Sequence, residues 1–521
     1  MPCWLRLLAT GLSAVAIGLA FPPASVKWLA WIALTPFLVG LRGAGLGAAL
    51  LLTWGWTLLA AWVVGSWMPE AVATYFLRPR LLGYVFFVGI ATGMAAVYYM
   101  AFAAVYRRLA DELDARILPL ATAATWVAAE LGRARLLGAF DFFVSNPWGL
   151  LGYSQVGYDP IVQIASVTGV YGMSFAIVAI NAALVELGFA LLRGAPPLRR
   201  AAQGAILAAL PLVAILGFGQ WRLGSAPSVE SRLAAVPATI VQGNVSLDRR
   251  WDADFYGRNL EVYLRTTRDA LAVRPGGIVF WPESALTFFL EEEPDYARAI
   301  AYVLNASDTE LIVGGPRREG DGDGPRHFNS VFLIDPAGRT QARYDKQHLV
   351  PFSEYLPLAT TGLLRRSFGQ VSTFTPGGAT PPLPTRAGPA GMLLCNEAMI
   401  PELASDRVRD GAAYLVNPSN DTWIPSRRFA DHLFDIVRLR AVEQRRFLVR
   451  ASTSGPSAIV DPFGRVQARS APFSQAVVTG WIRPERERSP YSRLGDAFAC
   501  LCAASVPLAL VAARGSRAAT R

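Results

Sequence analysis

Apolar residues are spread so unevenly along this chain that no single globular fold can take all of it. As far as about Trp221 the sequence is a succession of apolar blocks separated by short loops that carry isolated arginines. From 233 to 487 it alternates short apolar runs with charged stretches, as a soluble domain does. A helix needs roughly 20 apolar residues to cross the hydrocarbon of a bilayer. Candidate spans are 5–21, 28–41, 46–67, 82–106, 118–131, 169–192 and 205–221, and an eighth, 494–513, follows the globular stretch. Several are shorter than a full crossing, 118–131 being the weakest. The expected organisation is a membrane domain over 1–223 with about seven transmembrane helices, a linker at 224–232, a globular domain over 233–487, and a transmembrane helix with a basic tail over 488–521. A composition of 53% hydrophobic and only 17% charged residues suits such a hybrid and not an ordinary soluble enzyme.

The first block has Arg6 ahead of an apolar core, as a signal peptide does, but no small-residue cleavage pattern follows and further spans come directly after. It is read as retained. Seven spans put the globular domain on the side opposite the N-terminus. Across the short loops and tails, eleven basic residues fall on the N-terminal side against six on the other, which favours a cytoplasmic N-terminus and an exported domain. That parity requires 118–131 to cross.

The formal charge of +10 does not point to nucleic acid, because the arginines flank apolar blocks instead of lining a groove. The pair Arg365 and Arg366 reads equally as a contact for anionic headgroups or as an ordinary solvated pair. Of four cysteines, Cys395 alone lies in the globular domain, and the three histidines are scattered, so disulfide and zinc frameworks are excluded.

In the globular domain, β-rich apolar runs recur at 238–242, 277–281, 310–313, 330–334, 391–394, 413–416, 447–451 and 476–481. Helix-like stretches at 255–271, 295–304 and 428–445 lie between some of them, which predicts a layered α/β domain. The segments 335–339 and 461–465 both read Asp-Pro-x-Gly-Arg and predict hairpin turns. Three strand ends carry chemistry. Gly277–Trp281 runs into Pro282 and Glu283; Arg343-Tyr344-Asp345 leads to Lys346; Gly391–Leu394 delivers Cys395 into Asn396 and Glu397. A thiol at a strand-to-helix turn is exposed to substrate and close to backbone N–H donors. Singly, each residue has a plainer explanation: a small core cysteine, a surface lysine, a helix-capping glutamate. Their joint occurrence at successive strand ends is what points to a site.

The order Glu283, Lys346, Cys395 in these contexts resembles the nitrilase superfamily, the carbon–nitrogen hydrolases. With the membrane spans, the whole chain resembles the bacterial apolipoprotein N-acyltransferase family. Phe21-Pro22-Pro23, Trp28 to Pro36, Trp126 with Glu130 and Arg133, and Pro147-Trp148 with Gly152 to Gln155 are similar to that family's membrane motifs. Val241 to Asn244, Trp251, Trp281-Pro282-Glu283, Lys346 to Pro357, Asn420 to Trp423 and His432 follow its catalytic-domain pattern. The resemblance implies an α-β-β-α sandwich beside a polytopic helical membrane domain. It implies Cys395 as nucleophile, Glu283 as general base, and Lys346 with the backbone N–H after Cys395 as oxyanion donors. Glu354 would orient Lys346 or the amine, and Glu397, Trp251 and Trp423 would shape the pocket or its loops, although simple packing explains either tryptophan as well. Asn396 stands where the family usually has an aromatic residue; its N–H still serves the oxyanion, while packing beside Cys395 differs.

The implied reaction is ping-pong. A membrane glycerophospholipid acylates Cys395, and the α-amine of a diacylglyceryl-modified N-terminal cysteine on a lipoprotein accepts the chain. No cofactor or metal is required, a monomer is expected, and the location implied is the bacterial inner membrane with the catalytic domain periplasmic. The loop 360–374, with Leu363, Leu364 and Phe368, has the residue types to dip into the bilayer. Two other readings compete. In a membrane-tethered amidase, water resolves the thioester, but hydrolysis of a soluble amide has no use for eight spans. A non-catalytic scaffold would not need Glu283, Lys346, Glu354 and Cys395 together. A transporter is disfavoured because Glu130 and Glu186 are the only carboxylates well inside apolar blocks.

Overall fold

The computed structural model describes residues 1–75, 78–136, 147–225, 235–245, 253–320, 324–351, 353–355 and 374–519. Trp251 and almost all of the loop 360–374 lie outside these. The chain divides into two compact units: one holds Met1–Ala73, Leu77–Ser225 and Leu494–Arg521, the other Thr74–Phe76 and Ala226–Arg493.

The first unit is helical. Among its described residues, five helices are long and apolar enough to cross a membrane: Leu46–Gly65, Arg80–Glu112, Tyr171–Arg193, Leu198–Gly224 and Ala497–Arg514. Cys3–Leu19 and Lys27–Leu41 are apolar but shorter. The expected weak span at 118–131 forms part of the helix Leu118–Arg135, which carries Glu130 and Arg133 in buried positions. Both carboxylates inside apolar blocks have polar partners within this unit. Glu130 accepts hydrogen bonds from Trp126 Nε1 (3.0 Å) and the Leu151 amide (2.7 Å). Glu186 pairs with Arg42 at 2.9 Å. Asn181 spans three segments, accepting from the Thr35 amide and donating to the Ala30 and Ile177 carbonyls. Polar groups in an apolar medium have to find such partners, and here they fix one helix against another.

The second unit contains two six-stranded sheets. The first has the order β12-β1-β2-β3-β4-β5, with β1 Val236–Gln242, β2 Ile278–Phe280, β3 Glu310–Glu319, β4 Arg326–Ile334, β5 Thr340–Asp345 and β12 Ala476–Ile482. The second has the order β11-β10-β9-β8-β7-β6, with β6 Leu383–Thr385, β7 Gly388–Met392, β8 Tyr414–Ser419, β9 Leu448–Ser452, β10 Ala458–Val460 and β11 Val466–Arg469. The strands β1, β2 and β3 are parallel, as are β7, β8 and β9, and antiparallel strands flank each trio. Both segments expected as turns join antiparallel neighbours, β4 to β5 and β10 to β11.

Period-two alternation explains the layering. Ile240, Ile278, Phe280, Ile312, Val331 and Leu333 of the first sheet share one buried cluster with Met392, Tyr414, Val416, Val449 and Ile459 of the second. The intervening residues of the first sheet, Val279, Leu311, Val313 and Phe332, pack against Leu260, Tyr263, Ile300 and Leu304 from the helices Ala253–Val273 and Pro294–Asn305. Helices Pro401–Arg409 and Arg427–Gln444 lie against the strands of the second sheet, joined to each other by Gln444 Nε2 donating to Ser405 Oγ (2.8 Å). The result is the α-β-β-α sandwich.

Gly314 in β3 shows how tightly the first sheet meets the segment after β2. A Cβ there would stand 2.6 Å from the Glu283 Cα and 2.8 Å from the Pro282 carbonyl oxygen. We expect Gly314→Ala to destabilise the unit by about 1–3 kcal/mol, as overpacking does, visible as a lowered unfolding temperature of the detergent-solubilised protein.

Candidate active site

Glu283, Lys346 and Cys395 each stand just past a strand, and the backbone fixes all three. After β2 the Trp281 amide donates to the Ile312 carbonyl (2.9 Å) and the Gly314 amide to the Pro282 carbonyl (3.2 Å), so Glu283 is held against β3. After β5 the Lys346 amide donates to the Asn329 carbonyl at 2.9 Å. After β7 the Leu393 amide donates to the Val416 carbonyl (2.9 Å), and the chain then enters the short 3-10 helix Cys395–Met399. Cys395 itself has φ +55°, a left-handed conformation that disfavours a residue with a Cβ by on the order of 1–2 kcal/mol. Asn417 Nδ2 steadies the turn by donating to the Cys395 carbonyl at 3.0 Å.

The side chains converge. Lys346 is 1% exposed, Glu283 5% and Cys395 9%, which removes the surface reading of the lysine. Lys346 Nζ lies 2.9 and 2.8 Å from the two Glu354 oxygens and 3.8 Å from Glu283 Oε1. Asn329 Nδ2 donates to Glu283 Oε1 (2.7 Å) and to Glu354 Oε1 (2.8 Å). The Val350 amide donates to Glu354 Oε2 at 2.7 Å. Glu283 Oε2 is buried with no donor in good hydrogen-bond geometry among the described residues, and the Cys395 thiol is near enough to act on this carboxyl as a hydrogen-bond partner.

Burial and charge set the protonation states. Burial alone would drive the proton off Lys346, but Glu354 and then Glu283 outweigh it and hold the ammonium well above its usual range. Burial raises the Glu283 carboxyl, Lys346 pulls it back, Glu354 pushes it up, and the net direction is upward. Burial and the Glu283 charge push the Cys395 thiol up, with Lys346 opposing. Both influences favour a thiol over a preformed thiolate at Cys395. That arrangement suits base-assisted attack on a carbonyl carbon next to a fixed cation.

Of the remaining sequence candidates, Glu354 joins this cluster directly. Glu397 is fully buried and turned to the backbone: it accepts from the Leu394 amide (2.8 Å), the Tyr344 hydroxyl (2.9 Å) and the Gln347 and His348 amides (2.8 and 3.0 Å). Asn396 is partly buried, next to Cys395. Trp423 packs edge-on against Phe429 at 5.7 Å. Sequence reading missed Asn329. Its one signal was an amide next to the apolar run that ends the strand Arg326–Ile334, since a buried amide needs a polar partner.

Residues 13–183 match the family model "apolipoprotein N-acyltransferase N-terminal domain" and residues 237–489 match "carbon-nitrogen hydrolase". An apolipoprotein N-acyltransferase of Geobacter metallireducens is 34% identical over 512 residues, covering 97% of this chain and 94% of its own. The chain belongs to the apolipoprotein N-acyltransferase family. Members from Azotobacter vinelandii and Pseudomonas aeruginosa are 31% and 29% identical, each covering 92% of this chain and 91% of its own. Among solved structures, Nit3 of Saccharomyces cerevisiae, a nitrilase-superfamily member, aligns with 48% of this chain and 91% of its own at 19% identity and a TM-score of 0.36. A protein of this family is an acyltransferase, and its five long apolar helices make it a membrane protein.

Replacing Glu397 by glutamine turns an NH2 group toward backbone donors. The expected cost is about 2–3 kcal/mol, the range for losing buried hydrogen bonds to a charged group. Thermal unfolding with Glu397→Gln checks it, together with faster alkylation of Cys395 by iodoacetamide as the turn loosens.

Proposed function

We propose that the protein moves a fatty acyl chain from a membrane glycerophospholipid, through a thioester on Cys395, to the N-terminal α-amine of diacylglyceryl-cysteine lipoproteins. The observation that carries this is the buried Cys395–Glu283–Lys346 cluster in a chain similar over nearly its whole length to apolipoprotein N-acyltransferases.

In the first half-reaction Cys395 Sγ attacks the ester carbonyl carbon while Glu283 takes the thiol proton. Lys346 and the Asn396 backbone N–H stabilise the oxyanion, where fixed charge in a dry site acts most strongly. The tetrahedral adduct collapses by breaking the C–O bond. Glu283 gives its proton to the departing oxygen, and a lysophospholipid leaves. In the second half-reaction the neutral amine attacks the thioester, Glu283 accepts an amine proton, and collapse breaks the C–S bond. The proton passes to sulfur and an amide results. Glu354 keeps Lys346 in place and charged throughout. Both substrates carry lipid chains, so neither has to leave the bilayer. The excess of basic residues on the N-terminal side supports an inner-membrane protein with a periplasmic catalytic unit. A single chain suffices for this chemistry.

Because Glu283 works only when ionised, acyl-enzyme formation should fall as pH drops through the Glu283 pKa, and that limb should lie above the ordinary carboxylate range. Burst amplitudes and rates measured with a defined phospholipid between acid and neutral pH check the position of the limb. Glu283→Gln should lower the rate by about 10²–10⁴-fold and erase it.

Intact mass of the detergent-purified protein after incubation with a defined phospholipid tests the whole reading. The expected result is one fatty-acyl increment, absent from Cys395→Ala and discharged by a diacylated lipopeptide. Discharge by water alone would favour the tethered amidase, and no increment from folded protein with any lipid would remove the acyltransfer route.

A further inference from the structure

Next to Cys395 lies a second buried charged cluster that the proposed chemistry does not use. Arg450 on β9 is 0% exposed and Asp421, just past β8, is 1% exposed. They form an ion pair through Arg450 Nη2 and Asp421 Oδ2, and Arg450 Nη1 donates to Asn417 Oδ1. Asn417 Nδ2 in turn donates to the Leu393 and Cys395 carbonyls. Asp421 Oδ1 accepts from Ser419 Oγ at 2.7 Å, and Ser419 Oγ is 3.8 Å from Cys395 Sγ. Ser452 Oγ donates to Asp421 Oδ2 at 2.9 Å and accepts from the Gly455 amide, also at 2.9 Å. At Gly455 a Cβ would lie 2.1 Å from Asp421 Oδ2, so backbone packs directly onto the carboxylate.

We propose that Arg450 and Asp421 are positioning residues for the nucleophile: Arg450 neutralises the carboxylate behind Cys395 and, through Asn417 and Ser419, holds the sulfur's turn and its nearest hydroxyl in place. The inference rests on Cys395 being the nucleophile. The ionisable groups around its sulfur are Glu283 after β2, Lys346 after β5, Glu354 on the following loop, and Asp421 after β8 with Arg450 behind it. Three of these are carboxylates. A buried, unneutralised Asp421 would oppose the negative charge that develops on sulfur, and the direction of its influence on the thiol is upward. Ser419 has one hydroxyl proton. Asp421, charged and at 2.7 Å, takes it while Cys395 is a thiol, and the sulfur becomes a competing acceptor once its own proton has gone to Glu283.

The test measures Cys395 alkylation by iodoacetamide at fixed pH without lipid, followed by peptide mass spectrometry, so it does not depend on acyl transfer. Below the thiol pKa the rate follows the thiolate fraction, and a one-unit shift is about a tenfold change. Arg450→Gln, which leaves Asp421 facing the sulfur, should slow alkylation about tenfold. Asp421→Asn should speed it. The double variant, with neither charge buried, should return close to the parent rate. A purely structural role would move both single variants in the same direction and leave the double variant no better than the worse of them. That pattern, or no change in folded protein, overturns the proposal. Where Arg450→Gln does not fold, the pH dependence of alkylation in Asp421→Asn decides: a midpoint moved to lower pH supports the proposal, and a faster rate with an unmoved midpoint, as loosening alone gives, overturns it. Loss of phospholipid acylation in the parent alongside the expected alkylation pattern would instead count against the acyltransfer reading and leave the positioning role standing.

Discussion

An ammonium group with almost no contact with water holds this site together. A lysine as buried as Lys346 would ordinarily lose its proton, because the interior solvates charge poorly. Glu354 prevents this at 2.9 and 2.8 Å, and Glu283 adds a second negative charge at 3.8 Å. Asn329 keeps the two carboxylates from repelling each other freely by donating to one oxygen of each. Two carboxyl groups thus share one ammonium, and burial together with Glu354 raises the Glu283 carboxyl. Burial first, and then the Glu283 charge, favour the protonated thiol at Cys395.

Much of this was legible in the sequence. Apolar runs ending in Glu283 and Cys395 are parallel strands buried on both faces, and such strands read as continuous hydrophobic stretches. The two Asp-Pro-x-Gly-Arg segments are tight turns because each Asp side chain caps its own loop: Asp335 accepts from the Arg339 amide (2.8 Å) and Asp461 from the Arg465 amide (2.9 Å). Strands such as Thr340–Asp345 and Val466–Arg469 are harder to see. They lie at sheet edges, expose alternate residues and carry charge, so no apolar run marks them. Asn329 and Arg450 were missed for a different reason. Each is a buried polar residue on a strand, and its partners come from segments distant in the chain, so spacing does not reveal them.

The membrane unit follows the same economy with other residue types. Glu130, Glu186 and Asn181 would be costly in an apolar medium if left alone, and each is spent on a specific junction between helical segments. This is why carboxylates within apolar blocks need not signal an ion pathway. The helix Leu118–Arg135 is the clearest case: it is less apolar than a free-standing span, and its polar side chains are the ones that meet neighbours.

Glu397 bonds at once to the turn that carries Cys395 and to the strand end that carries the ammonium. Those two segments belong to different sheets. Distance between sulfur and cation is therefore a property of how the sheets are spaced, gauged by one carboxylate acting as a fixed-length strut. Anything that slides one sheet over the other therefore changes the surroundings of Cys395.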